Sequence, residues 1–258
     1  MLIARYALGS EIHYGIQESP TTWRRLRGLP FEGLEETGVI DESRQLRLLC
    51  PIERPRIFGV GFNYAAHAKE TGHPLPSRPA MFMKPDGCAI GPDEAIVYPL
   101  EGTRVDFECE LAVVIGKPGR RISVDAAYQH IFGLTCANDI SERPIQFSEM
   151  ESGCLLIGKG FDTFCPLGPV IATGLNHRQL KLSTRVNGQV RQSSNTSDLI
   201  FGVDELVSYV SQAITLRPGD VIITGTPEGI GPLSIGDTVE VEIEGIGILR
   251  NPVIAESR

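Results

Sequence analysis

From Arg56 onward the chain runs in short apolar stretches of β character, each closed by glycine or proline: residues 57–60, 81–84, 110–115, 170–173, 182–186, 220–224 and 238–243. This pattern predicts strands. It is cleanest in the last, where Val239, Val241 and Ile243 alternate with Glu240, Glu242 and Glu244, one face toward a core and one toward water. Helical spacing is rare. Its best instance is 203–215, where Leu206, Val207, Val210, Ala213 and Ile214 recur at a period of about 3.6 residues. Strands and helices do not alternate regularly, which disfavours a TIM barrel or a doubly wound sheet. The pattern predicts an α+β, mostly β chain, a roll or barrel with few helices.

Residues 1–54 read differently. Residues 3–6 and 11–16 flank Leu8-Gly9-Ser10 as a small hairpin, a short segment around Trp23 to Leu26 is predicted helical, and Arg24, Arg25 and Arg27 form a solvated basic face. Pro51 and Pro55 stiffen the joint that follows. The expected division is a small N-terminal α/β domain over 1–54 and a main domain over 55–258.

Lys plus Arg number 24 against 32 Asp plus Glu, and the net charge of −8 repels phosphate backbones and anionic lipid, so nucleic acid is not an expected partner. Apolar runs such as 111–115 fall far short of the ~20 residues of a membrane span. The first residues lack a basic segment followed by a long apolar one, so a cytoplasmic location is expected. The six cysteines have no Cys-x-x-Cys spacing and read as thiols, mostly structural. Gly59-Val60-Gly61 lacks the third glycine of a dinucleotide fingerprint, and Gly225 to Gly231 lacks a Lys-Ser/Thr ending, so neither cradles a nucleotide.

Candidate chemistry begins at Val105-Asp106-Phe107-Glu108-Cys109-Glu110-Leu111. In a continuous strand Asp106, Glu108 and Glu110 share one face, with neighbours about 6.6 Å apart along the backbone. Beside the apolar run that follows, such a face needs a cation, and oxygen-only donors suit Mg²⁺ or Mn²⁺. An exposed edge strand with its acids in water is the alternative. A third ligand has to come from elsewhere; Asp139, after the apolar stretch 131–134, stands at a strand end, where a turn or N-cap role, taken alone, explains it better. His67 and Glu70, three apart on a predicted helical turn, can form a proton-accepting pair, or simply a polar helix face. Lys159 sits between Gly158 and Gly160, which permit close backbone approach, and could stabilise an enolate or bind a carboxylate.

Residues 56–253 resemble the fumarylacetoacetate hydrolase family in ordered blocks: GVGFNYAAHAKE, FMKP, VDFECELAVVIG, NDISERPIQ, GKGFDTFCPLGP, VNGQVRQSSNT, LRPGDVIITGTPEGIG and IGDTVEVEIEGIG. The resemblance implies a mixed β-sandwich roll, usually a homodimer, with one Mg²⁺ or Mn²⁺ held by Glu108, Glu110 and Asp139. It implies a His67–Glu70 dyad on a short helix, Lys159 beside the metal, and substrate contacts from Arg143, Gln146 and Thr226. Lys84, in a matching block, takes no assigned role. Two departures border the substrate: Ser141-Glu142-Arg143-Pro144-Ile145-Gln146 replaces the common Ser-Ala-Arg-Asp-Leu-Gln, and Leu156 or a neighbour replaces an aromatic. The implied activity is hydrolysis of a C–C bond in an acylpyruvate-type 2,4-diketo acid, with a metal-bound pyruvate enolate as leaving group and His67, oriented by Glu70, activating water. Oxaloacetate decarboxylation and 2-hydroxy-diene-dioate isomerisation use the same site; a metal-stabilised binding protein is the non-enzymatic alternative. Hydrolysis ranks first because the dyad is present. Glu108→Ala and Asp139→Ala are expected to fold, relieved of acidic repulsion.

Overall fold

The strand Cys109–Ile115 is apolar and buried along its whole length. In the computed structural model, which describes residues 1–257, it lies inside a twelve-stranded mixed sheet. Cys109, Leu111, Val113 and Ile115 face one core cluster, whereas Ala112 and Val114 face the other. The period of two is thus satisfied on both faces of the strand. Ile131–Asn138 and Val221–Ile223 flank it antiparallel. Beyond Val221–Ile223 come the parallel strand Ile57–Gly61 and the edge strand Ala80–Lys84. On the other side, Ile131–Asn138 leads to Cys165–Ala172 and then to Leu2–Leu8.

A second sheet of five strands includes Lys181–Val186, Gln189–Asn195, Thr238–Ile243 and Gly247–Ala255. Its Leu182, Val241, Ile243 and Leu249 pack into the first cluster and Val186, Val239 and Val253 into the second. This is the mixed β-sandwich roll that the sequence blocks imply. Four α-helices are attached: α1 Ala65–Glu70, α2 Arg143–Glu151, α3 Ile157–Gly160 and α4 Val203–Ala213. α4 buries Val203, Leu206, Val207 and Val210 at helical spacing, and the Glu205 carboxylate accepts from the Gly202 N–H at 2.7 Å to start it. The helix stops short of Thr215 because Leu216 bridges to Gly119, which draws Ile214 into extended backbone.

The N-terminal hairpin forms as read, Leu2–Leu8 against Glu11–Ser19. The predicted helix around Trp23 is instead the strand Thr22–Arg27, and the one helical turn of this region is the 3₁₀ segment Ser43–Gln45. The reason is a register shift between Arg24 and Leu26 against Glu35–Glu42. It turns both Trp23 and Leu26 inward, giving a strand the three-residue spacing of a helix. Arg25 also leaves the solvated face: it makes two hydrogen bonds, of 2.9 and 2.7 Å, to buried Asp41, which accepts a third from Tyr6 at 2.6 Å. All six cysteines are free thiols, with Cys154 alone exposed. No helix among the described residues is long and apolar enough to cross a membrane.

Candidate active site

The acidic segment is not one continuous strand. Val105–Phe107 belongs to a small three-stranded sheet with Ser141–Glu142 and Gly231–Pro232, and the chain passes into the large sheet at Cys109. Glu108 sits at the break, where its N–H donates to Asn138 Oδ1 at 3.0 Å and its carbonyl accepts from the Asp139 N–H at 2.9 Å. Those two bonds bring Glu108 and Asp139, thirty-one residues apart, face to face. Glu108, Glu110 and Asp139 each offer an oxygen within 4.8 Å of the others, and all three are buried. Asp106 does not join them. The break turns it toward Arg143 Nε at 2.9 Å and Arg104 Nε at 3.0 Å, correcting the expectation of three acids on one face.

Three buried cations face the three carboxylates. Lys159 Nζ bridges Glu108 Oε2 at 2.7 Å and Asp139 Oδ2 at 2.6 Å, and Lys84 donates to Asp139 Oδ1. Arg143 Nη2 lies 2.6 Å from Glu108 Oε1 but off the donor axis, so the contact is ionic rather than a formed hydrogen bond. Burial alone would raise the Glu108 pKa, but the Lys159 and Arg143 charges outweigh it and hold the carboxyl well below its ordinary range. Glu110 goes the other way: burial, with Asp139 and Glu108 adding to it, pushes its pKa well up. Its polar tie is the Gly225 N–H, at 2.6 Å. The expectation that losing one carboxylate merely relieves repulsion therefore fails for Glu108 and Asp139, whose removal strands buried cations.

The opposite wall is α1. His67 is buried, its Nδ1 3.4 Å from Glu70 Oε2, and burial lowers its pKa, leaving the imidazole neutral near pH 7. Glu70 is anchored in turn by the Gly229 N–H at 3.0 Å. Just before α1, Asn63 is fully buried and ties this wall to the far loops, donating to Phe201 O at 3.0 Å and Thr224 O at 2.8 Å.

α2 and α3 complete the site. Arg143 Nη1 donates to Gln146 Oε1 at 2.9 Å. Glycine at 158 is required, since a Cβ there would lie 2.5 Å from the Gln146 N, and this close approach lays α3 against α2. From α2, Glu149 accepts from the N–H groups of Leu156, Ile157 and Gly158 at 3.1, 2.7 and 3.0 Å, holding the start of α3. Thr226 enters on the Gly225 turn, where φ is +94° and a Cβ would meet Asn63 Cβ at 2.7 Å.

His67, Glu108, Glu110, Arg143, Gln146, Lys159 and Thr226 line one cavity of about 190 Å³, with Phe62, Met81, Phe82, Phe147, Met150 and Leu155 around its remainder. Of the candidate residues, Glu70 and Asp139 stand just behind this lining, touching it through His67 and Lys159. Gln192, Glu149 and Lys84 received no role from the sequence. For Gln192 the available signal was a polar residue in a strand at a position the sheet buries, and for Lys84 a lysine closing an apolar strand.

The carboxylates fit a hard divalent ion. The donors are all oxygen, and an octahedral ion with bonds of about 2.1 Å needs its oxygens roughly 3–4 Å apart. Glu110 is buried and, among the described residues, no cation is bonded to it directly, so added positive charge at that point is favoured.

A family model described as fumarylacetoacetate (FAA) hydrolase C-terminal matches residues 56–254, and one described as Rv2993c-like, N-terminal matches residues 1–51. The chain is 44% identical over 221 residues to the mitochondrial oxaloacetate tautomerase FAHD2A of Bos taurus, covering 81% of this chain and 70% of that one. The solved structure of 5-carboxymethyl-2-hydroxymuconate delta-isomerase from Mycobacterium smegmatis superposes with a TM-score of 0.91 at 40% identity, covering 99% of this chain and 100% of that one. Fumarylpyruvate hydrolase from Pseudomonas aeruginosa, solved with Mn²⁺ and pyruvate, gives 0.75 at 36% identity, covering 81% and 92%.

Proposed function

Because the chain belongs to the fumarylacetoacetate hydrolase family, we propose that it is a metal-dependent hydrolase that cleaves a C–C bond in an acylpyruvate-type 2,4-diketo acid. Glu108, Glu110 and Asp139 would hold Mg²⁺ or Mn²⁺, which supplies a Lewis acid for the 2-oxo carboxylate end of the substrate. The observation that carries the reading is His67: buried, with its pKa lowered by that burial, lining the cavity, and with Glu70 behind it.

With Nδ1–H donating to Glu70, the Nε2 lone pair is the free base. His67 takes a proton from water there, and the resulting hydroxide attacks the distal carbonyl carbon. The C–C bond breaks toward the 2-oxo acid, the electron pair passes into its enolate, and His67 returns the proton to C3; pyruvate and a carboxylic acid leave. Lys159 and Arg143 hold positive charge beside the enolate oxygens. Gln146 spends its oxygen on Arg143, while its Nε2 meets only Met150 Sδ at 3.9 Å, so its N–H groups are available to a substrate oxygen. The apolar remainder of the cavity suits an uncharged acyl group.

A second reading, keto–enol tautomerisation of oxaloacetate, is favoured by the bovine relative. It uses the same residues, with His67 moving a C3 proton instead of water's. Purified protein assayed side by side on acylpyruvates, oxaloacetate and a hydroxymuconate-type dienoate should release pyruvate fastest from an acylpyruvate. Glu70→Gln should cut that rate about 10–100-fold. Exchange of the C3 proton without pyruvate release would move the reading to tautomerisation, and an unchanged rate in Glu70→Gln would remove the dyad.

A further inference from the structure

Gln192 lies in the strand Gln189–Asn195, 1% exposed, and no part of the chemistry above uses it. Its amide is saturated. Oε1 accepts from the Cys109 N–H at 2.9 Å and from Thr184 Oγ1 at 3.0 Å; Nε2 donates to Thr226 Oγ1 at 2.8 Å and to Pro227 O at 2.9 Å. The Cys109 N–H can only donate and the Pro227 carbonyl can only accept, so the amide cannot be flipped without breaking both. Its nitrogen therefore faces Thr226.

That orientation decides what Thr226 does. A hydroxyl has one proton to give, and here its oxygen is already an acceptor. Among the described residues no acceptor takes the Thr226 proton, while Thr226 itself lines the cavity beside Glu110 and His67. We propose that Gln192 is a positioning residue: by donating to Thr226 Oγ1 it commits the hydroxyl proton to the cavity, where it meets an oxygen of the bound 2-oxo acid. Through Cys109, which lies between Glu108 and Glu110, the same side chain sets the distance from that donor to the carboxylates. The inference rests on the proposed function in needing a 2-oxo acid in this cavity.

The test is a double-mutant cycle read by calorimetric binding of pyruvate and of oxalate to the Mn²⁺-loaded protein. Gln192→Glu keeps both acceptor contacts but replaces the donor facing Thr226 with an acceptor. It should weaken binding about tenfold or more, and Thr226→Val should do the same. In the Thr226→Val background Gln192→Glu should cost less than about threefold further, whereas Thr226→Ser should restore the full dependence on Gln192. Gln192→Met, of similar shape without a hydrogen-bond donor, substitutes for Gln192→Glu if the latter does not fold. An effect of Gln192→Glu that is equal in both backgrounds, or an affinity unchanged in Gln192→Glu alone, overturns the proposal. Wild-type protein that binds neither probe overturns the functional reading first and this inference with it.

Discussion

Glu108 and Glu110 stand two residues apart with the same side-chain type and meet opposite surroundings. Glu108 is clasped by Lys159 and Arg143, while Glu110 has the Gly225 N–H and two carboxylate neighbours. Removing Glu108 leaves two buried cations short of a partner, at about 3–5 kcal/mol. Glu108→Ala should therefore lower the melting temperature of the metal-free protein by roughly 10 °C or more. Glu110→Gln should leave it equal or raise it, because Gln still accepts from Gly225 and removes a destabilised charge. Thermal melts in chelator, then with Mn²⁺, check both: wild type gains stability from the ion and Glu110→Gln does not. Sequence alone brought out the acids and their spacing. It could not supply the strand break at Glu108 or the ion pairs that Lys84, Arg143 and Lys159 make with Glu108 and Asp139, because those join segments far apart in the chain.

Elements carry the next level of placement, and the shortest is the most dependent on help. α3 has four residues, too few to satisfy its own first N–H groups, and the Glu149 carboxylate does so from α2. Glu149→Ala should lower the melting temperature only slightly, yet loosen α3 and displace Lys159. The expected results are faster hydrogen exchange at 156–158, relative to intrinsic rates, and a kcat lowered about tenfold on the best substrate. Unchanged protection at those amides would exclude the clamp. Burial raises the Glu149 pKa, but the three N–H bonds outweigh it and the net direction is down. The clamp's contribution is thus full above the ordinary value of 4.5 and fades as pH falls through the lower folded value. What sequence conveyed at this scale followed periodicity. α4 is amphipathic enough to be read with an error only at its C-terminal end, whereas Thr22–Arg27 imitates a helix because a bulge alters its period. α3 has no periodic signal, being defined by the Glu149 side chain and a required glycine.

For the molecule as a whole, alternation and the ordered sequence blocks revealed a β-rich sandwich roll, but the pairing of the first strands was beyond local pattern. Leu2–Leu8 joins the large sheet through Leu2 opposite Ala172 and Ile3 opposite Ile171. Ala4, Tyr6 and Trp23 share a cluster with Val170 and Ala172, and Phe31 meets the Phe132 ring edge-on at 5.0 Å. The first fifty-odd residues therefore cover an edge of the very sheet that carries the acids, even though every candidate site residue lies beyond them. A chain starting at Arg56 would uncover the backbone of Cys165–Ala172 and several apolar side chains at once, a template for aggregation. Losing several fully buried side chains at about 1.5–3 kcal/mol each predicts a melting temperature lower by at least about 10 °C. Carboxylates, lysines, Arg143 and α1 all remain in the shortened chain, so whatever stays soluble should still bind Mn²⁺ and oxalate with affinities close to those of the full chain. Calorimetry on the monodisperse fraction separates the two effects. Lost stability with binding retained assigns residues 1–54 to support of the sheet, whereas binding lost from a folded truncation would mean that these strands shape the cavity itself.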